Sequence, residues 1–122
     1  MKKVAAVILF SLFATVQLVA QTKLTEEQKI DHLILFIRNL KGVTFIRNGS
    51  EHTAEAAADH LQMKREKAGS RIKTAKDFID KVATKSSMSG EYYMIRFSNG
   101  KEFPAYMVLG NELKKLEEGK SK

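Results

Sequence analysis

The feature that most restricts this chain lies at its start. Met1-Lys2-Lys3 is a short positive segment, Val4 to Val16 is apolar apart from Ser11 and Thr15, and Leu18-Val19-Ala20 ends on a small residue. That order reads as a secretory signal peptide, with cleavage expected between Ala20 and Gln21. An uncleaved anchor is the competing reading. The run, however, is shorter than the ~20 apolar residues of a spanning helix, and Gln17 interrupts it. What remains, residues 21–122, is expected to form a single small α+β domain with no transmembrane segment. Export places a chain in an oxidising compartment, yet there is no cysteine, so this domain has to hold together by packing alone.

The loss of Lys2 and Lys3 with the leader lowers the formal charge from +7 to +5. A modest positive excess suits an anionic ligand or envelope surface. It forms no basic stripe, and export argues against nucleic acid as a partner.

Hydrophobic periodicity gives the elements. Thr25 with Gln28 three residues on is a capping box, and Ile30, Leu33, Ile34, Ile37 and Leu40 recur at helical spacing until Gly42. Leu35 falls off that stripe. Val43 to Arg47 is β-prone and ends in the turn Asn48-Gly49-Ser50. A second helix follows Thr53, with Ala54, Ala57, Ala58, Leu61 and Ala68 on one face. A third is capped by Thr74 and turns Phe78, Ile79, Val82 and Ala83 inward. Tyr92 to Phe97 reads as a strand returning through Asn99-Gly100 to Glu102-Phe103. After Pro104, a last helix spaces Tyr106, Leu109, Leu113 and Leu116 along one face. The expected fold class is α+β: about four helices packed with one antiparallel β-hairpin, in the order α, extended, α, α, β, β, α.

Two blocks of residues carry a resemblance. Phe45-Ile46-Arg47-Asn48-Gly49-Ser50 with Ala56-Ala57, His60-Leu61 and Lys64 form the first. Thr74-Ala75, Phe78-Ile79, Ser86-Ser87, Ser89-Gly90 and Tyr93 form the second. Over roughly residues 25–116 the chain resembles the YfeK-like family of small exported bacterial proteins, a domain of unknown function. It departs from that pattern at His52, where an aromatic such as tyrosine is usual, and at Val108, where tryptophan is common. The resemblance implies export and a bacterial envelope setting, and it implies no activity.

Few residues point to chemistry. His32, His52 and His60 show no metal-ligand spacing and no cysteine supports them, so neither a metal nor a cofactor is expected. His32 reads as a surface residue. His60 is the weak catalytic candidate, as a base for Ser86 or Ser87, with Ser89 in the same loop; no GxSxG or SxxK pattern accompanies it. A structural hydrogen bond from His60 is the stronger reading. Arg47, Asn48, Ser50 and Ser87 are the ligand-binding candidates, because a guanidinium beside turn N–H groups and hydroxyls suits a carboxylate or phosphate. If the second and third helices form a hairpin, the loops Arg47–Ser50 and Ser86–Gly90 should meet at one end of the domain, where the second helix's free N–H groups would also favour an anion. Tyr92, Met94 and Arg96 could also form an exposed strip on an open strand edge. The sequence therefore favours a non-catalytic binding module for an envelope protein, peptide or anionic ligand, with a small serine/histidine hydrolase as the alternative.

Overall fold

Thr25 caps the first helix of the described residues. In the computed structural model, which describes residues 23–119, the Thr25 hydroxyl accepts from Gln28 N (3.1 Å) and the Gln28 side chain accepts from Thr25 N (2.9 Å). These two bonds satisfy donors that a helix start would otherwise leave open. The expected leader, 1–20, and its cleavage point lie outside the described residues.

Helix α1 (Glu26–Asn39) buries Ile30, Leu33, Ile34 and Ile37, the expected stripe, and leaves Leu35 exposed. It ends before Leu40, and Gly42, with φ +67°, turns the chain into strand β1 (Thr44–Arg47). Asn48 (φ 53°) and Gly49 (φ 78°) then form a two-residue turn of the type that matches strand twist. The turn leads straight into β2 (Ser50–His52), which pairs antiparallel with β1. Helix α2 (Ala54–Ala68) is capped by Thr53, whose hydroxyl accepts from Ala56 N at 3.1 Å. A 3-10 turn (Gly69–Arg71) leads to the short helix α3 (Ala75–Lys81), which has its own capping box between Thr74 and Asp77. Strands β3 (Met94–Arg96) and β4 (Glu102–Pro104) form a second hairpin, and α4 (Ala105–Glu117) closes the fold.

Among the described residues the fold class is the α+β one expected, with four helices in the expected order. The extended segment does more than anticipated, because β2 completes it into a hairpin and β3 joins it. The result is one four-stranded antiparallel sheet in the order β2-β1-β3-β4. β3 is therefore an internal strand, and the open edge expected at Tyr92–Ile95 does not exist. Tyr92 packs against Tyr106, and Arg96 is ion-paired to both Glu51 and Glu102 at 2.9 Å.

Phe45 and Ile95, cross-strand partners, point into the core, while Arg96 and its two glutamates occupy the opposite face. Phe78, Leu33, Ile37, Ile95, Leu109 and Val82 are the most completely buried side chains. Helix α1 packs chiefly on α2, and α3 packs chiefly on α1 and α4. The ion pairs Arg38–Asp59 (2.8 Å) and Arg65–Asp31 (2.6 Å) fix α1 and α2 antiparallel.

Helix α4 is rotated from its expected face. It buries Ala105, Leu109 and Glu112, while Tyr106 is exposed and Leu113 and Leu116 are half-buried. The cause is polar. His32 Nε2 lies 2.9 Å from Glu112 Oε2, so Glu112 is carried inside and His32, half-buried against it, is not the surface residue expected.

Candidate functional site

Helix α2 has two different long faces. Ala58 and Leu61 are buried against the core with Ala57 beside them, while His60, Lys64 and Lys67 turn away from α1. Because α2 and α3 each pack on α1 more than on one another, a gap opens between them. This gap is a cleft of ≈ 940 Å³. The end of β1 supplies Arg47 and Asn48, α2 supplies His60, Met63, Lys64 and Lys67, and the α2–α3 connection supplies Ser70, Arg71, Ile72 and Lys73. The far side holds Lys81 and Val82, with Ser86, Ser87 and Met88 from the following loop and Tyr93 behind.

A hydrogen-bonded cluster forms the inner wall. Arg47 Nη1 lies 3.1 Å from His60 Nδ1 and 3.2 Å from Nε2; His60 Nε2 lies 3.3 Å from the Tyr93 hydroxyl. Lys64 Nζ donates to that same hydroxyl at 2.9 Å and to the Lys85 carbonyl at 3.1 Å. With its proton on Nε2 the ring donates to Tyr93 and accepts from Arg47 at Nδ1, and the 3.2 Å approach of Arg47 to Nε2 is then a contact and not a hydrogen bond. The ring must be neutral for this. Burial first, then the charges of Arg47, Lys64, His52 and Lys67, lower the His60 pKa from 6.5 to about 4.

Arg47, Lys64, Lys67, Arg71, Lys73 and Lys81 all line the cleft, and no aspartate or glutamate does. None of the six is within ion-pair distance of a carboxylate among the described residues; elsewhere Lys29, Arg38, Arg65, Lys76 and Arg96 all are. Asp77 comes nearest to an exception: the Lys73 N–H bond first, and then the Lys81 charge, hold its carboxyl below the ordinary value, but its Oδ2 serves the backbone N–H groups of Lys73 and Thr74. Charge is thus segregated. Setting aside these six, and the four basic residues outside 23–119, leaves eleven of the 21 Lys and Arg against all 14 Asp and Glu.

The expected site residues are distributed as follows. The two small-residue loops meet, with the Ser89 hydroxyl donating to Asn48 Oδ1. Arg47, Asn48, Ser86 and Ser87 line one cleft, whereas Ser50, the exposed first residue of β2, does not reach it. Nor do the first residues of α2, where Thr53 already takes one N–H. Both ring nitrogens of His60 are engaged by Arg47 and Tyr93, and among the described residues no serine hydroxyl is a hydrogen-bond partner of it. Ser86 is buried and its hydroxyl accepts from Met88 N (3.2 Å) and Ser89 N (3.4 Å), the role of a turn residue. Among the described residues no group of three or more His, Cys, Asp or Glu could hold a metal ion.

Sequence reasoning missed Lys67, Arg71, Lys73 and Lys81. The available signal was the stretch from Lys64 to Lys81, which holds seven basic residues and only Glu66, Asp77 and Asp80 as acids.

The fold and its cationic cleft define a small α+β domain for which comparison with known proteins supplies a family. Residues 24–117 match the model of a family of unknown function, DUF5329, and the chain belongs to that family. It is 38% identical over 93 residues to a protein of Salmonella typhimurium (strain LT2) named "Uncharacterized protein YfeK", an alignment covering 76% of this chain and 77% of that protein. No solved structure matches.

Proposed function

We propose that this is an exported bacterial cell-envelope protein that binds an anionic ligand in the α2–α3 cleft without transforming it. The observation that carries the reading is the collection of six cations, none of them paired to a carboxylate among the described residues, around one concave site. A like-charge cluster costs folding energy unless a counter-charge visits it, and anion binding supplies that charge. Arg47 is the anchor. Among the described residues its side chain bonds only His60, a neutral imidazole, and does so through Nη1, so its full charge and its Nε and Nη2 donors stay available to a phosphate or carboxylate. The serine and asparagine groups of the adjoining loops add neutral hydrogen-bonding partners. The apolar leader supports export, and the family resemblance supports the envelope setting.

The test is calorimetric titration of the full chain with inorganic tripolyphosphate at low salt. Saturable binding that weakens as salt rises is expected. Arg47→Ala should weaken it roughly tenfold or more, since a hydrogen bond to a charged group contributes about 1.5–3 kcal/mol. The melting temperature should stay within a few degrees. Undiminished binding by Arg47→Ala, or no binding by the wild type, would remove the reading; a collapse in Tm would make Arg47 a structural residue instead.

A further inference from the structure

The cleft is not purely ionic. Met63, Ala68, Ile72, Val82 and Met88 lie between its cations. Two of these stand out: Met63 is 42% exposed and Met88 is 94% exposed. Met88 sits at the rim on an organised turn, not on a loose one. Ser86 N donates to Glu91 O (2.9 Å), Gly90 N donates to Ser86 O (3.0 Å), and the buried Ser86 hydroxyl takes the Met88 and Ser89 N–H groups. Ser89 in turn ties the turn to Asn48. The fold therefore holds an unbranched apolar side chain out in water, next to a field of unpaired positive charge.

A small anion in solution would use the charges and leave Met88 where it is. A bilayer containing anionic phospholipid uses both. Its phosphates lie at the depth that lysine and arginine reach by extending along apolar surface, and its acyl boundary takes a methionine. Four to eight clustered Lys and Arg are the charge pattern that anionic lipid surfaces attract. We propose that this face of the protein docks on a bilayer bearing anionic phospholipids, the cleft cations meeting lipid phosphates and Met88 entering the acyl boundary. The proposal rests on the reading of the cleft as an anion site and names the source of the anion.

The chain contains no tryptophan, so Met88→Trp installs a single indole as a local reporter in the full chain. Any membrane affinity of the apolar N-terminal residues leaves a reporter at position 88 unmoved unless that turn itself inserts. Vesicles of phosphatidylglycerol and phosphatidylcholine should shift the indole emission to the blue, and vesicles of phosphatidylcholine alone should not. Adding Lys67→Ser and Arg71→Ser should raise the lipid concentration at half-shift by roughly twenty-five-fold, about fivefold for each charge removed. Tripolyphosphate binding is measured on the same Met88→Trp variant, so that an intact anion site and lipid docking are read from one protein. Tripolyphosphate binding without a blue shift on the anionic vesicles would overturn the docking proposal and leave the anion site standing. An equal shift on both kinds of vesicle would overturn it too, since charge would then play no part. Failure of both lipid and tripolyphosphate to bind would overturn the two together.

Discussion

Lowering the pH should destabilise this protein in a window set by one imidazole. Folding places His60 between Arg47 and Lys64 and partly out of water, and lowers its pKa from 6.5 to about 4. Above pH 6.5 the ring is neutral in both folded and unfolded chains and contributes nothing to the pH dependence. Between 6.5 and about 4 the unfolded chain takes up a proton that the folded chain refuses, so stability falls as pH falls; below about 4 the loss is complete. At 1.36 kcal/mol per pH unit the ceiling is about 3 kcal/mol. The ring is only partly buried, and solvent screening brings the expected loss to about 1–2 kcal/mol. Urea unfolding at pH 7 and pH 4.5 measures it, provided the carboxylates that titrate nearby are subtracted. His60→Gln provides that subtraction, because an amide keeps a donor and an acceptor but does not titrate. The wild type should lose about 1–2 kcal/mol more than His60→Gln across the window. Parallel losses in the two proteins, or an imidazole NMR titration with its midpoint near 6.5, would refute the reasoning.

Two further outcomes are expected. Phe78→Ala should cost about 3–5 kcal/mol, because Phe78 has no exposed surface and its removal leaves a cavity; for a domain this small that is a fall in Tm of at least about ten degrees, and a shift of only a degree or two would mean the core closes over the gap. Replacing Val7-Ile8-Leu9 with charged residues should keep the protein in the cytoplasm with its leader attached, as cell fractionation and mass measurement would read; an unchanged exported form would refute the signal-peptide reading.

The helices were largely legible because their signals are local. Thr25 with Gln28 and Thr74 with Asp77 announce two starts within four residues each, and both capping boxes are present. Strand β2 was not legible. Ser50-Glu51-His52 has no apolar residue to mark it, and it is a strand only because Asn48 and Gly49 both adopt positive φ and fold it back on β1. The same event makes β3 internal, which no reading of Tyr92 to Ile95 by itself could show. The rotation of α4 was hidden for a different reason. A hydrophobic stripe is computed from apolar residues, and this helix turns inward around Glu112, whose partner His32 is on another helix.

The candidate site divides along the same line. Arg47 and Ser87 were visible because small polar residues around a guanidinium are an unusual local cluster, whereas each cleft lysine looks like any other surface lysine. Lys64, Arg65 and Lys67 are near neighbours in sequence with equal charge and similar length. Arg65 faces α1 and is neutralised by Asp31 at 2.6 Å, while Lys64 and Lys67 face the gap, where no acid stands. Around a helix each residue advances about 100°, so a single step decides whether a cation closes an interface or waits for a ligand. The number of positive charges therefore says little about what the protein binds. What matters is that one helix sorts its charges into two faces, one spent on holding α1 and the other left open. Moving a single acid across that boundary tests the point: Met63→Glu, on the cleft side, should weaken tripolyphosphate binding, whereas an acid in place of exposed Leu35 on α1 should leave it unchanged. If both act alike, overall charge governs binding and the sorting by helix face is irrelevant.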